Sequence, residues 1–141
     1  MLTVELITPE EIAFKGEAVS VTLPTGDGEI TVLTGHVSLV STVSPGTMIV
    51  RNAEGEQMFA VARGVIEVTP KSVRVLSDIA DRVEALEEAA IEQAKERAEK
   101  LVSERRNDAE GFAEATAILE KEFARLKSVR RRKSSGFRRS S

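Results

Sequence analysis

Cysteine, tryptophan and tyrosine are absent from this 141-residue chain, and histidine occurs once. Without cysteine there is no disulfide framework, no thiolate nucleophile and no cysteine-based zinc or iron–sulfur site. With a single histidine and no tyrosine, most of the usual acids, bases and metal ligands are missing as well, which argues against an independent enzyme. Long apolar runs are also lacking. The longest, Met58 to Ala62, has five residues, against the roughly 20 that a transmembrane helix needs. The N-terminus, Met1-Leu2-Thr3-Val4-Glu5, has no basic segment followed by an apolar one. Nothing in it suggests secretion, and an intracellular location is expected.

What is present is a balance of 41% hydrophobic and 30% charged residues, which is that of a chain folding in water as one ordinary domain or two small ones. The formal charge of −3 hides an asymmetry. Residues 128–141 carry six Arg/Lys and no acid, so the first 127 residues carry −9. Local charge therefore matters more than net charge.

From Met1 to about Asp78, β-branched residues alternate with polar ones and Gly or Pro intervenes every several residues, the pattern of many short strands in a sandwich or barrel. The expected strands are Thr3–Thr8, Ala18–Leu23, Glu29–Leu33, Val37–Val43, Met48–Arg51, Gln57–Ala62, Val65–Thr69 and Ser72–Leu76. Asn52-Ala53-Glu54-Gly55 reads as a hairpin loop with Gly last, and Pro70-Lys71 as a tight turn with φ preset by Pro.

The pattern then changes. Residues 81 to about 131 contain no Pro, one Gly (Gly111) and a high density of Ala, Glu, Lys and Arg, which predicts two helices of about 25 residues, roughly 37 Å each. Asp81 with Glu84, and Asn107 with Glu110, read as capping boxes that open them. Val83, Leu86, Ala90, Ala94, Ala98 and Leu101 form a narrow apolar stripe on the first helix. Phe112, Ala115, Leu119, Phe123 and Leu126 form one on the second. An antiparallel hairpin follows, with an alanine-rich seam that buries little apolar area and can open. The expected organisation is α+β: an N-terminal antiparallel β-sandwich over 1–80, an α-helical hairpin over 81–131, and a basic mobile tail over 132–141.

Single motifs are weak. Gly26-Asp27-Gly28-Glu29 matches neither a P-loop nor a dinucleotide fingerprint and reads as a turn between strands. His36 has no companion at a spacing that suggests a ligand or base and reads as a loop histidine. Glu84, Glu87, Glu88 and Glu92 spread around a helix near its N-terminus, where the dipole favours acids, and read as a solvated face rather than a metal cluster. Arg130 to Lys133, Arg138 and Arg139, with Phe137 among them, suit a solvated tail, a docking segment for an acidic protein surface, or nucleic-acid phosphate. The acidic remainder of the chain opposes the last.

Order is more specific. Phe14-Lys15-Gly16-Glu17-Ala18-Val19-Ser20-Val21-Thr22-Leu23-Pro24 is followed by Gly26-Asp27-Gly28-Glu29-Ile30, Gly35-His36 and Ser44-Pro45-Gly46. Ala62-Arg63-Gly64-Val65-Ile66-Glu67-Val68 and Val73-Arg74-Val75-Leu76-Ser77-Asp78 come next, ahead of the Ala/Glu-rich pair of helices. Over residues 2 to 129 this series resembles the epsilon-subunit family of F-type ATP synthases. The resemblance implies a sandwich of about ten strands seated on the gamma subunit and on the ring of membrane c subunits. It also implies a helical hairpin that extends along gamma to restrain ATP hydrolysis.

The implied role is that of a non-catalytic, regulatory rotor subunit that couples proton translocation to ATP synthesis. It would be peripheral to the membrane at the inner, cytoplasmic face or the equivalent organelle compartment. Gly28, Glu29, Ile30 and His36 would face the c ring. Lys121, Arg125, Arg130, Arg131, Arg132 and Lys133 would meet the catalytic alpha/beta head, in particular an acidic segment of β. A weak regulatory ATP site would draw on Leu86, Glu87, Lys121 and Arg125; no other cofactor and no metal are implied. The chain departs from the family pattern in having Thr31 and Thr34 where Gly and Pro are common. Ala90 stands where ATP-binding members carry an arginine. Two rival readings are a generic interaction module of another complex and a nucleic-acid adaptor working through the basic tail.

Overall fold

The computed structural model describes residues 1–140, with side chains described for residues 1–134. Eight strands come first: β1 (Leu2–Ile7), β2 (Ile12–Ala18), β3 (Ser20–Thr25), β4 (Gly28–Leu33), β5 (Leu39–Val43), β6 (Gly46–Asn52), β7 (Gly55–Val68) and β8 (Ser72–Arg82). A 3₁₀ turn at Val83–Ala85 leads to α1 (Glu88–Glu104) and α2 (Ala109–Ser140). The strands run in the order β2-β1-β8-β7-β5-β3-β4, and β6 pairs with both β3 and β7. Every ladder is antiparallel except β1 with β8, which is parallel from Thr3↔Ser72 to Ile7↔Leu76.

The number of strands is eight among the described residues, below the ten or so implied by the resemblance, because β7 is long. Its first part, Gly55–Val61, pairs with β6, and its second part, Gly64–Val68, pairs with β5. The stretches expected as two strands are thus one strand that passes between layers at a corner. Arg63 supplies the bend with a left-handed φ of 58°, a conformation that costs about 1–2 kcal/mol for an L-residue. Gly64 lies against β8 so closely that a Cβ there would come 1.7 Å from the Leu76 carbonyl oxygen. Beside the bend, the buried Ser77 hydroxyl donates to the Ala62 carbonyl and accepts from the Ala62 N–H, both at 3.0 Å. Strand β2 was not foreseen. It is an edge strand with Ile12, Lys15 and Glu17 exposed, and its alternation is correspondingly weak.

The sandwich core is built of inward-facing residues at alternate positions, as the period of two requires. Leu2, Val4 and Leu6 of β1 meet Val73 and Val75 of β8 and Val21 and Leu23 of β3, all at most 1% exposed. Phe59 of β7 is also 1% exposed, makes an edge-on contact with Phe14 at 5.9 Å between ring centres, and lies under the Arg82 guanidinium.

The helices differ from expectation at their starts. Asp81 opens no helix because β8 continues through it, pairing Asp81 with Ala60 and Arg82 with Phe59. Helix α1 therefore begins at Glu88 and has 17 residues, with Ile91 and Ala98 buried. Of the predicted stripe, Val83 is buried before the helix begins, and Ala90 is exposed. Helix α2 starts one residue later than the Asn107 cap allows: the Asp108 carbonyl accepts from the Phe112 N–H at 2.7 Å. The Asp108 carboxylate lies over Gly111, where a Cβ would approach it to 2.7 Å. Phe112 and Phe123 face outward, 40% and 47% exposed, instead of joining the seam. Among the described residues the buried positions of α2 are Gly111, Ala115, Ala124, Leu126, Ser128 and Val129, because this helix must fit both α1 and the sandwich. It runs on to Ser140 through the segment expected as a tail. The side chains of Phe137, Arg138 and Arg139 and the last residue, Ser141, lie outside those described.

Candidate functional site

The chemistry of this chain gathers where α2 lies against the sandwich. Small residues make the approach close: Ala124 of α2 packs with Ala60, Ala62 and Ile79. One turn on, the buried Ser128 hydroxyl meets the Thr47 hydroxyl at 2.6 Å and the Gly46 carbonyl at 3.3 Å. On the flank facing α1, Leu126 and Val129 close over Val83 and Ile91. These apolar clusters are smaller than the sandwich core, so polar contacts take a larger share of the attachment.

Those contacts involve the cations singled out in the sequence. Arg125 donates from Nε to Asp81 at 2.6 Å and from Nη1 to Glu122 at 2.5 Å. Burial would pull its pKa down, but the hydrogen bond to Asp81 and the charges of Asp81 and Glu122 outweigh it and hold the pKa above the ordinary arginine value. Arg130 reaches Glu88 at 3.3 Å and Glu92 at 3.0 Å on α1, and Lys133 also donates to Glu88. The Lys133 and Arg130 hydrogen bonds hold the Glu88 carboxyl below its usual range. The acids Glu88 and Glu92, expected as a solvated face, are thus the partners of the basic end of α2. Lys121 is half-buried and Arg132 is exposed.

Arg131 crosses to the sandwich. Its Nη1 donates to Glu29 Oε2 at 2.5 Å and its Nη2 to Oε1 at 3.3 Å. Glu29 follows the β3–β4 turn, in which the Thr25 hydroxyl donates to the Gly28 carbonyl at 2.5 Å and accepts from the Asp27 N–H at 3.2 Å. Gly28 sits at φ 116°, a conformation L side chains rarely adopt, which explains glycine at that corner. The Arg131 hydrogen bond, opposed by partial burial and aided by the charges of Arg131, Arg51 and Lys127, keeps the Glu29 carboxyl below 4.5. A cavity of about 450 Å³ opens beside this pair, lined by the β3–β4 turn, by Ser44 to Thr47, and by Lys127 and Arg131 of α2.

The four residues expected to face the c ring are not all together. Gly28 and Glu29 share the exposed turn, with Ile30 next to them half-buried against the core. His36 lies beyond the opposite end of β4, about 17 Å away at roughly 3.3 Å per residue, and its Nδ1 donates to the Val37 carbonyl at 2.7 Å. Thr31, a departure from the family pattern, is accommodated in β4, where its hydroxyl lies 3.0 Å from that of Thr22. Of the residues expected around ATP, Leu86 and Glu87 line a cleft of about 330 Å³ with Ala85, Ala90, Ile91 and Glu122. Its charged groups are acids, Lys121 is not part of its wall, and Arg125 is engaged by Asp81 and Glu122. Among the described residues no group of three His, Asp or Glu is placed to hold a metal ion.

Sequence reasoning missed Asp81, Glu122, Thr47, Ser128 and Lys127 as parts of this seat. One signal was available: an acidic block at the start of the hairpin and a basic block at its end meet when two helices run antiparallel.

A family model described as the ATP synthase delta/epsilon chain β-sandwich domain matches residues 1–83. An ATP synthase epsilon chain of Bordetella parapertussis is 42% identical over 126 residues, covering 89% of this chain and 86% of that protein. The chain belongs to the ATP synthase epsilon-chain family. The epsilon chain of Stenotrophomonas maltophilia K279a is 35% identical over 129 residues, covering 90% of this chain and 91% of the relative. These matches extend past the sandwich into the hairpin. Among solved structures, a chain in the Euglena gracilis mitochondrial ATP synthase, solved as OSCP/F1/c-ring in rotational state 1, superposes with a TM-score of 0.71. It is 22% identical, with 87% of this chain and 78% of that chain covered, a likeness of fold. Among the described residues no helix is long and apolar enough to cross a membrane.

Proposed function

We propose that this epsilon-family chain is a non-catalytic central-stalk subunit of an F-type ATP synthase, peripheral to the membrane at its inner face. Its sandwich seats on the gamma subunit and the c ring and passes torque between the ring and the catalytic head. Its hairpin restrains ATP hydrolysis. The observation that carries the reading beyond family membership is the way α2 is held: two buried hydroxyls, the packing of Ala124 on Ala60, Ala62 and Ile79, and a set of ion pairs fix it to a sandwich whose own core does not include it. Such an element can leave and return without unfolding the domain that carries it, and a switch needs states separated by only a few kcal/mol.

In the released state Arg125, Arg130, Arg131 and Lys133 exchange their internal acids for an acidic segment of the β subunit, and Lys121 and Arg132 add their charges to the same contact. Glu29 and its turn form the ring-facing edge of the sandwich, with His36 at a separate edge. The acidic lining of the Leu86–Glu87 cleft and Ala90 in place of an arginine fork support weak ATP binding or none.

Affinity purification of the full chain from its native source tests the assembly: recovery of gamma and c subunits is expected, and recovery of unrelated proteins alone overturns the reading. Cysteine at position 29 is expected to crosslink to c in the assembled enzyme. Chains ending after Asp81 and after Val129 are expected to raise hydrolysis by the assembled head; unchanged rates with both overturn the brake.

A further inference from the structure

The Glu29 carboxylate has two oxygens, and Arg131 uses both, Nη1 on Oε2 at 2.5 Å and Nη2 on Oε1 at 3.3 Å. A guanidinium fork set this way holds both oxygens, so a second cation that needs the same geometry must displace it. The approach to the turn is obstructed as well. Ala124, Ser128 and Arg131 stand on successive turns of α2 and touch, in order, Ala60 and Ala62, then Gly46 and Thr47, then Glu29. The helix therefore travels toward the β3–β4 turn and does not stop there. Nine further helical residues, 132 to 140, follow Arg131, about 14 Å at 1.5 Å per residue.

We infer that Arg131 and the ring compete for Glu29, so that seating the β3–β4 turn on the c ring releases the C-terminal end of α2. This rests on the proposal that the turn faces the ring. The partner chemistry is set by the site: a cationic side chain on a polar loop of the ring takes the place of Arg131. Because binding linkage is reciprocal, the factor by which the seated helix weakens ring binding equals the factor by which ring binding weakens the seat of the helix. One partly exposed ion pair makes that factor about two- to five-fold. Release is graded along the helix. The pair at Glu29 is the outermost contact, and the buried Ser128–Thr47 hydroxyls and the Arg125–Asp81 pair hold the inner turns.

The test is titration of the full chain, bound to its gamma subunit, with purified c ring in detergent at moderate ionic strength. Arg131→Gln is expected to bind the ring two- to five-fold more tightly than the wild type, and Glu29→Gln more weakly. Lys95→Ala removes a cation that pairs with Glu99 on α1 and controls for net charge; it is expected to match the wild type. In the wild type, amide hydrogen exchange over residues 129–134 is expected to quicken when the ring is added, whereas in Arg131→Gln it is already fast without the ring. Equal ring affinity for Arg131→Gln and wild type, with Glu29→Gln weakened, overturns the competition and leaves the ring-facing turn intact. Equal tightening by Lys95→Ala overturns it in favour of a net-charge effect. No change with Glu29→Gln overturns the competition together with the ring-facing turn.

Discussion

The sandwich and the helical hairpin are held by different physics. In the sandwich, Leu, Val, Ile and Phe side chains from facing strands are removed from water almost completely, and the backbone is closed into ladders. In the hairpin, α1 buries only Ile91 and Ala98 along 17 residues, and α2 meets the sandwich through alanine, serine and charge. Burial scales with apolar area, so the first region is stable on its own account. The second depends on contacts that a competing surface can replace. One chain thus carries a body held by apolar burial and an arm held by small residues and charge.

The largest expected effect falls in the body. Phe59→Ala removes a ring 1% exposed at the centre of the core and is expected to cost about 3–5 kcal/mol, read as a lowered thermal midpoint of the strand signal in circular dichroism. If the strands melt unchanged, the division between body and arm is wrong. Ala124→Leu forces three extra carbons between α2 and Ala60, Ala62 and Ile79. It is expected to weaken the seat of the arm by about 1–3 kcal/mol, seen as faster hydrogen exchange over 124–131 while the strands melt as before. Ser128→Ala leaves the buried Thr47 hydroxyl without its partner, with an expected cost of about 1–2 kcal/mol, measurable by the same exchange.

Acid sharpens the comparison further. Glu29 and Glu88 are both held below 4.5 by their cationic partners. A carboxyl lowered in the folded state contributes stability above its unfolded value and loses it as pH falls through the folded value. Amide hydrogen exchange of the full chain is therefore expected to show loss of protection over residues 124–133 as pH falls below 4.5, with the strands still folded. The smallest effect is that of Arg130→Ala, whose exposed links to Glu88 and Glu92 are screened by salt. A detectable increase in exchange is expected at low ionic strength and none at high.

How far the residues alone carry the fold depends on how local the deciding interaction is. Alternation along Thr3–Thr8 and Ser72–Leu76, the Asn52–Gly55 loop and the Pro70-Lys71 turn are local, and the strands they predict are present, the first shifted by one residue to Leu2–Ile7. The helical composition after residue 81 is local too, and two helices follow. Where a distant partner decides, the local signal misleads. Asp81 looks like a cap but is held in β8 by Ala60 and bonded by Arg125, 44 residues away. Phe112 and Phe123 fit a seam by spacing, but α2 turns another face inward because it answers to two neighbours at once. Glu29 and Arg131 stand out in the sequence separately, as contacts for different partners; their pairing spans 102 positions.

Composition and order along the chain are enough for the family, the division into strands and helices, and the exclusion of cysteine and metal-thiolate chemistry, because these follow from residue type and short-range periodicity. Which cation meets which acid depends on the packing of α2 against the strands, a relation set by the sum of many small contacts across the whole fold. That is why the bond between the β3–β4 turn and the end of the last helix became visible only in three dimensions.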